Sequence, residues 1–160
     1  MKKQYGFTLI EMMITILIMA IMVSFAVPSF NNMIEKNQSL TTANDLLADI
    51  QLARSEAIKQ DTLVSVCPSN DGATCSGSWT DGWIVTLTNA PNTVFAVREK
   101  PANNMTITAT GGLGAGLTFR GTGRRVVPAD ETITIKKGNH WEYEVSVSLT
   151  GRPIVKEKLI

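Results

Sequence analysis

Histidine occurs once in the 160 residues, at His140, and cysteine twice, at Cys67 and Cys75. So small a supply of soft ligands argues against a zinc site. A Ser-His-Asp or Cys-His arrangement would have to rest on His140 alone, and "KKGNHWEYE" reads as a turn leading into a strand. A strong charge of one sign is also missing. The net charge is +1, which gives neither an overall basic signature for nucleic acid nor an acidic tail. Glu142 and Glu144 alternate along one strand and read as a solvated face. "GGLGAG", Gly111 to Gly116, has the look of a phosphate loop but lacks the lysine and helix that should follow. Its place between two strand-like runs predicts a hairpin loop. No catalytic residue, metal site or cofactor is expected, and the chain does not read as an enzyme.

The most informative absence is local. From Met12 to Ile34 there is no charged side chain, whereas the region after Lys36 is mixed and polar. That split predicts an apolar amino-terminal element followed by one ordinary domain. Lys2 and Lys3 precede the apolar run, as in an export signal. Either the run is removed after Ser24-Phe25-Ala26, or it is kept. Retention is favoured by the early acid Glu11, by a length close to the ~20 residues of a membrane span, and by a helical pattern that resumes beyond Pro28.

"KKQYGFTLIEMMITILIMAIMVSFAVPSF" resembles the amino terminus of type IV pilins and the related pseudopilins. The resemblance implies a leader, residues 1–6, cut by a prepilin peptidase after Gly6. It implies N-methylation of the new first residue, Phe7, and an assembly role for Glu11, fifth counting from Phe7. A carboxylate within a membrane span costs about 2.5–3.5 kcal/mol on insertion scales and so needs a partner. The amine freed at Phe7 of a neighbouring subunit is the expected one. Pro28 is expected to kink or loosen the helix. The implied organisation is a transmembrane and assembly helix over 7–30, then a periplasmic globular domain over 31–160 that includes the second half of the helix.

Within that domain, Leu40, Ala43, Leu47, Ile50 and Ala57 recur at helical spacing, with Leu46 and Ala53 beside them. They predict an amphipathic helix ending near Gln60 with a core-facing seam. Asp45, Asp49, Arg54, Glu56 and Lys59 fall on or beside its wet face. Short β-rich runs follow: "TLVSVC", "WIVTL", "TVFAVRE", "MTITAT", "LTF", "ETITIKK", "YEVSVSL" and "RPIVK". One long helix and then a series of strands makes the class α+β, a helix packed on antiparallel β-sheet. If the domain is exported, an oxidising compartment favours a Cys67–Cys75 disulfide closing "CPSNDGATC".

"SWTDGWIVTL", "LLADIQLARSEAIKQ", "LTFRGTGR" and "SLTGRPIV" resemble the GspH/FimT group of pilin-like proteins. That group implies a minor pilin that primes or caps a type IV pilus, or a minor pseudopilin of type II secretion. The expected partners are other minor pilins, the major pilin or pseudopilins, the prepilin peptidase and the inner membrane. The expected location is a single pass through that membrane, then the filament and the cell surface. Arg120, Arg124, Arg125 and Arg152 are candidate DNA contacts, because some members of the group bind DNA through Gly-Arg-x-Arg near the carboxyl terminus. Here Gly151-Arg152-Pro153-Ile154 keeps the first arginine and replaces the second with isoleucine.

Overall fold

A computed structural model describes residues 6–101, 104–127, 132–138 and 141–159. Residues 1–5 of the expected leader, and His140, lie outside them. The order of elements is a helix α1 (Leu9–Gln60), then strands β1 (Val64–Pro68), β2 (Trp83–Leu87), β3 (Ala90–Arg98), β4 (Met105–Ala109), β5 (Leu117–Phe119), β6 (Thr132–Lys137), β7 (Trp141–Val147) and β8 (Pro153–Leu159). The chain divides into two compact units, Met1–Ile34 and Glu35–Ile160, and α1 runs through both.

In the first unit every described residue from Gly6 to Ile34 is exposed. The most apolar 18-residue window of α1 has a mean hydropathy of 2.4 and is 0% buried. By length and composition this helix is able to cross a membrane. Pro28 lies inside it without ending it. The proline ring lacks the N–H that would bond the Ser24 carbonyl.

The second unit holds the core. The strands form two four-stranded antiparallel sheets, ordered β3-β2-β1-β5 and β4-β6-β7-β8. β1 is buried along its whole length and β2 nearly so, as central strands covered on both faces should be. β4 and β6 alternate, with Met105, Ile107, Ile133 and Ile135 turned inward. Ala43, Leu46, Ile50, Ala53 and Ala57 of α1 join Val64, Val66, Trp83, Phe119, Ile135, Tyr143 and Val145 in one cluster drawn from both sheets. The seam of α1 therefore runs through Leu46 and Ala53, while Leu40 and Leu47 lie at its margins.

Asp49 corrects the wet-face expectation. It is 3% exposed. Its Oδ2 accepts Trp83 Nε1–H at 2.9 Å and Arg98 Nε–H at 2.8 Å, and its Oδ1 accepts Arg98 Nη2–H at 3.3 Å. A helix carboxylate is held inside because two donors from β2 and β3 meet it there, which offsets its desolvation.

"SWTDGW" is the joint on which this depends. Ser78 and Asp81 form a capping box around a short 3₁₀ turn, Trp79–Asp81. Trp79 Nε1–H donates to the Leu113 carbonyl at 2.9 Å. The Trp79 and Trp83 rings lie 6.4 Å apart between centroids, tilted by 46°. Gly82 has φ 118°, and a Cβ there would lie 2.3 Å from the Arg98 carbonyl oxygen, so only glycine lets β3 approach.

"GGLGAG" is not a hairpin. Residues Gly111–Ala115 form a 3₁₀ turn joining β4 of one sheet to β5 of the other. Leu113, 1% exposed, anchors that crossing in the core. Glu142 and Glu144 are held by Lys158 across the β7–β8 pair, at 3.4 and 3.2 Å.

Candidate functional site: a capped helix start and an arginine corner

Two places deserve a functional account, one in each unit. In the first, the Thr8 hydroxyl accepts the Glu11 N–H at 3.3 Å, and Glu11 Oε2 accepts the Thr8 N–H at 3.3 Å. This reciprocal pair is a capping box at the start of α1, written in the sequence as Thr-x-x-Glu. It fixes the helix entry one residue after Phe7, which is 81% exposed. A Cβ added to Gly6 would meet nothing within 4 Å, as at Gly114. Nothing in the fold requires a glycine there.

In the second unit, Cys67 and Cys75 form a disulfide. Inside the loop it closes, the Asp71 carboxylate accepts the Thr74 hydroxyl at 2.6 Å, the N–H groups of Thr74 and Ala73 at 2.8 and 2.9 Å, and the Ser69 hydroxyl at 2.9 Å. These donors, the Thr74 hydroxyl first, hold its carboxyl well below the usual aspartate range. Ile84 pairs with Cys67 on one side and Val97 on the other, and a Cβ at Gly72 would lie 3.1 Å from Val97 Cγ1. The loop thus roofs the outer face of the first sheet, where Ile84 is fully buried.

The candidate arginines sit around one corner. Residues 120–124 make a turn in which Gly123 N–H donates to the Arg120 carbonyl at 2.8 Å and Arg120 N–H to the Arg124 carbonyl at 2.9 Å. The Gly123 carbonyl in turn accepts Arg54 Nε–H from α1 at 3.0 Å. Gly151 closes the corner with φ 81°; a Cβ there would lie 2.5 Å from the Gly123 carbonyl oxygen. Arg120, Arg124 and Arg152 are exposed. Arg120 and Arg124 line a hollow with Leu149, whereas Arg152 lines a different one with Arg54 and Ile58.

Arg125 lines the same hollow as Arg120 and Arg124, but its side chain is turned inward. It is 6% exposed and its Nη1–H donates to the Val147 carbonyl at 2.9 Å. Its backbone forms a β-bridge with Phe119, and the alternation that leaves Arg124 outside turns Arg125 in. Arg54 is the member that sequence reasoning missed. It reads as one more charge on a wet helix face, and only the Gly123 and Gly151 turns, far along the chain, bring it into the corner. Among the described residues no group of histidine, cysteine and acidic side chains could hold a metal ion.

The family described as Type II transport protein GspH matches residues 42–151, and the prokaryotic N-terminal methylation motif matches residues 1–27. The type IV minor pilin FimU of Pseudomonas aeruginosa is similar in structure, with a TM-score of 0.60 and 26% identity over 76% of this chain and 90% of that one. A second crystal form of FimU gives 0.56 and 26% over 73% and 91%. The minor pseudopilin EpsH of the Vibrio cholerae type 2 secretion system shares the fold, with a TM-score of 0.54 at 14% identity over 76% and 97%. The curated proteins include no significant sequence match.

Proposed function

Because this chain belongs to the family of the type II transport protein GspH, we propose that it is a minor pilin that primes or caps a type IV pilus. The observation that carries the reading is the union, in one chain, of the GspH-family domain over residues 42–151 with the N-terminal methylation motif over residues 1–27. The likeness to FimU favours a pilus over a secretion filament. A minor pseudopilin of type II secretion is the alternative within the same filament class.

The chemistry of the helix start supports this. Gly6 has no packing role, which fits a residue read by a peptidase and then discarded. Cleavage after it leaves a new amino group at Phe7, at the positive end of the α1 dipole. A cation there is disfavoured by about 0.3–1 kcal/mol, so it gains from a carboxylate close by. Glu11 of an adjacent subunit supplies that charge, and pairing in apolar surroundings neutralises both groups. The apolar stretch anchors the subunit in the inner membrane, with the domain in the periplasm, until the filament takes it up.

Intact-mass measurement on the chain from sheared filaments should give a polypeptide that begins at Phe7 and carries one extra methyl group. Gly6→Val should leave the leader attached. Immunogold labelling should mark filament ends, and cells lacking the chain should assemble far fewer filaments. Labelling along the whole filament shaft, or filament numbers unchanged without the chain, would refute the priming or capping role.

A further inference from the structure

The arginine corner contains a second feature that subunit membership alone does not explain. Gln51, Arg54, Ser55 and Ile58 follow one another at i, i+3, i+4 and i+7 along one face of α1. With Arg152 and Pro153 they line a hollow of about 330 Å³. Among the described residues, neither the Arg54 nor the Arg152 guanidinium takes part in an ion pair. Arg54 is nevertheless not a loose surface side chain. Its Nε is fixed on the Gly123 carbonyl, and the absence of a Cβ at Gly151 leaves the space for that arrangement. Its outer N–H groups are thereby set in place before any partner arrives, which lowers the entropy lost on binding. Ile58 stands beside them 51% exposed.

We propose that this hollow docks an acidic, partly apolar segment of a neighbouring, non-identical filament subunit. A carboxylate of that segment lies against Arg54 and Arg152, and an apolar side chain next to it covers Ile58. The inference rests on the filament reading and names the kind of surface the neighbour presents. The mixture decides between polyanion and protein. A phosphate backbone would be served by cations alone, in a field of strong positive charge. Here the net charge is only +1, and the hollow sets its two arginines beside Ile58 and Pro153. That combination suits a peptide carrying both a charge and an apolar contact.

The test is site-specific photo-crosslinking of the full chain in cells that assemble the filament. The photoreactive residue benzoylphenylalanine replaces Ser55 at the rim of the hollow and, in a separate strain, Met19 in the apolar half of α1. The Ser55 position should give an adduct with another filament subunit, mapping to a peptide that contains aspartate or glutamate. Arg152→Glu should lower its yield about tenfold, replacing attraction with repulsion. Gln51→Glu, an exposed position that makes no bond to the corner, should also lower it by placing a carboxylate at the hollow. The Met19 adducts should persist in both variants. Met19 adducts without a Ser55 protein adduct would overturn the docking proposal and leave the filament reading standing. So would a Ser55 adduct with nucleic acid, or a yield that neither variant changes. Loss of adducts at both positions would overturn the filament reading and the docking with it.

Discussion

Asp49 and Arg98 are unequal partners, and mutation should expose the inequality. Asp49 is buried, while the Arg98 side chain is 41% exposed. Removing Arg98 strands a carboxylate in the core with only the Trp83 N–H for company. Arg98→Ala should therefore cost about 3–5 kcal/mol, the range for a broken buried pair. Asp49→Asn keeps an acceptor for Trp83, and the freed Arg98 can turn to water, so its cost should be nearer ~1.5–3 kcal/mol. Denaturant unfolding of the two variants checks the order, and a reversed order would refute this view of the node. The bond with Asp49 raises the pKa of Arg98 from an already high value, so the guanidinium stays charged throughout. Asp71 predicts a pH response instead. Its folded pKa is depressed, so its contribution is complete above the unfolded value of about 3.9, fades as pH falls below that value and is gone below the lower folded one. The Ala73 and Thr74 amide resonances should hold their positions through the pH range in which a free aspartate titrates. Asp71→Asn should abolish their acid response. Movement of those resonances at the ordinary aspartate pH would contradict the assignment.

At the scale of elements, the disulfide loop offers the clearest test. Closing a loop this short in the unfolded chain is worth about 2–3 kcal/mol. Cys75→Ser should cost at least that, because the freed loop also uncovers Ile84; thermal unfolding measures the loss, and an unchanged midpoint would argue against a roof. The loop's cysteines were legible in the sequence, as were the strand spans, since period-two alternation and flanking turn residues are local signals. Each of the eight β-rich runs overlaps a strand, although β3 and β7 begin two or three residues before their runs and β8 ends three residues after its own. What joins them was not local. β4 and β5 follow one another closely yet belong to different sheets, because Leu113 is anchored in the core between them. The helix seam lay one position away from its predicted centre for a related reason. Counting apolar side chains gives Leu47 the same weight as Leu46, and an acid counts as wet. The partners that draw Asp49 inward stand 34 and 49 residues away, beyond any periodicity. Arg54 was obscured in the same way, whereas the proposed processing at Gly6 and Phe7 and the proposed role of Glu11 rest on one contiguous stretch that needs no tertiary signal to be read.

The whole molecule separates two tasks. Among the described residues, all of the buried ones lie between Ser39 and Pro153, inside the unit Glu35–Ile160. Residues 35–160 produced alone should therefore fold without detergent and unfold in one cooperative transition. A broad, non-cooperative melt of that fragment would show that the apolar half of α1 contributes to the core after all. Charge is divided as well. Residues 36–97 carry three basic and six acidic groups, net −3, and residues 98–160 ten basic and six acidic, net +4. With its total near neutral, the chain lacks the strong positive field that capture of a polyanion would use.

The tryptophan pair gives this division an optical handle. Trp79 bonds the crossing between the sheets, and Trp83 bonds the helix. Two indoles whose ring centroids are 6.4 Å apart, tilted by 46°, form a chiral chromophore pair whose contribution to the circular dichroism depends on both joints being closed. The chain thus carries its own label-free reporter of assembly-competent packing. It could follow, in real time, whether subunit docking tightens or loosens the grip of the helix on its two sheets.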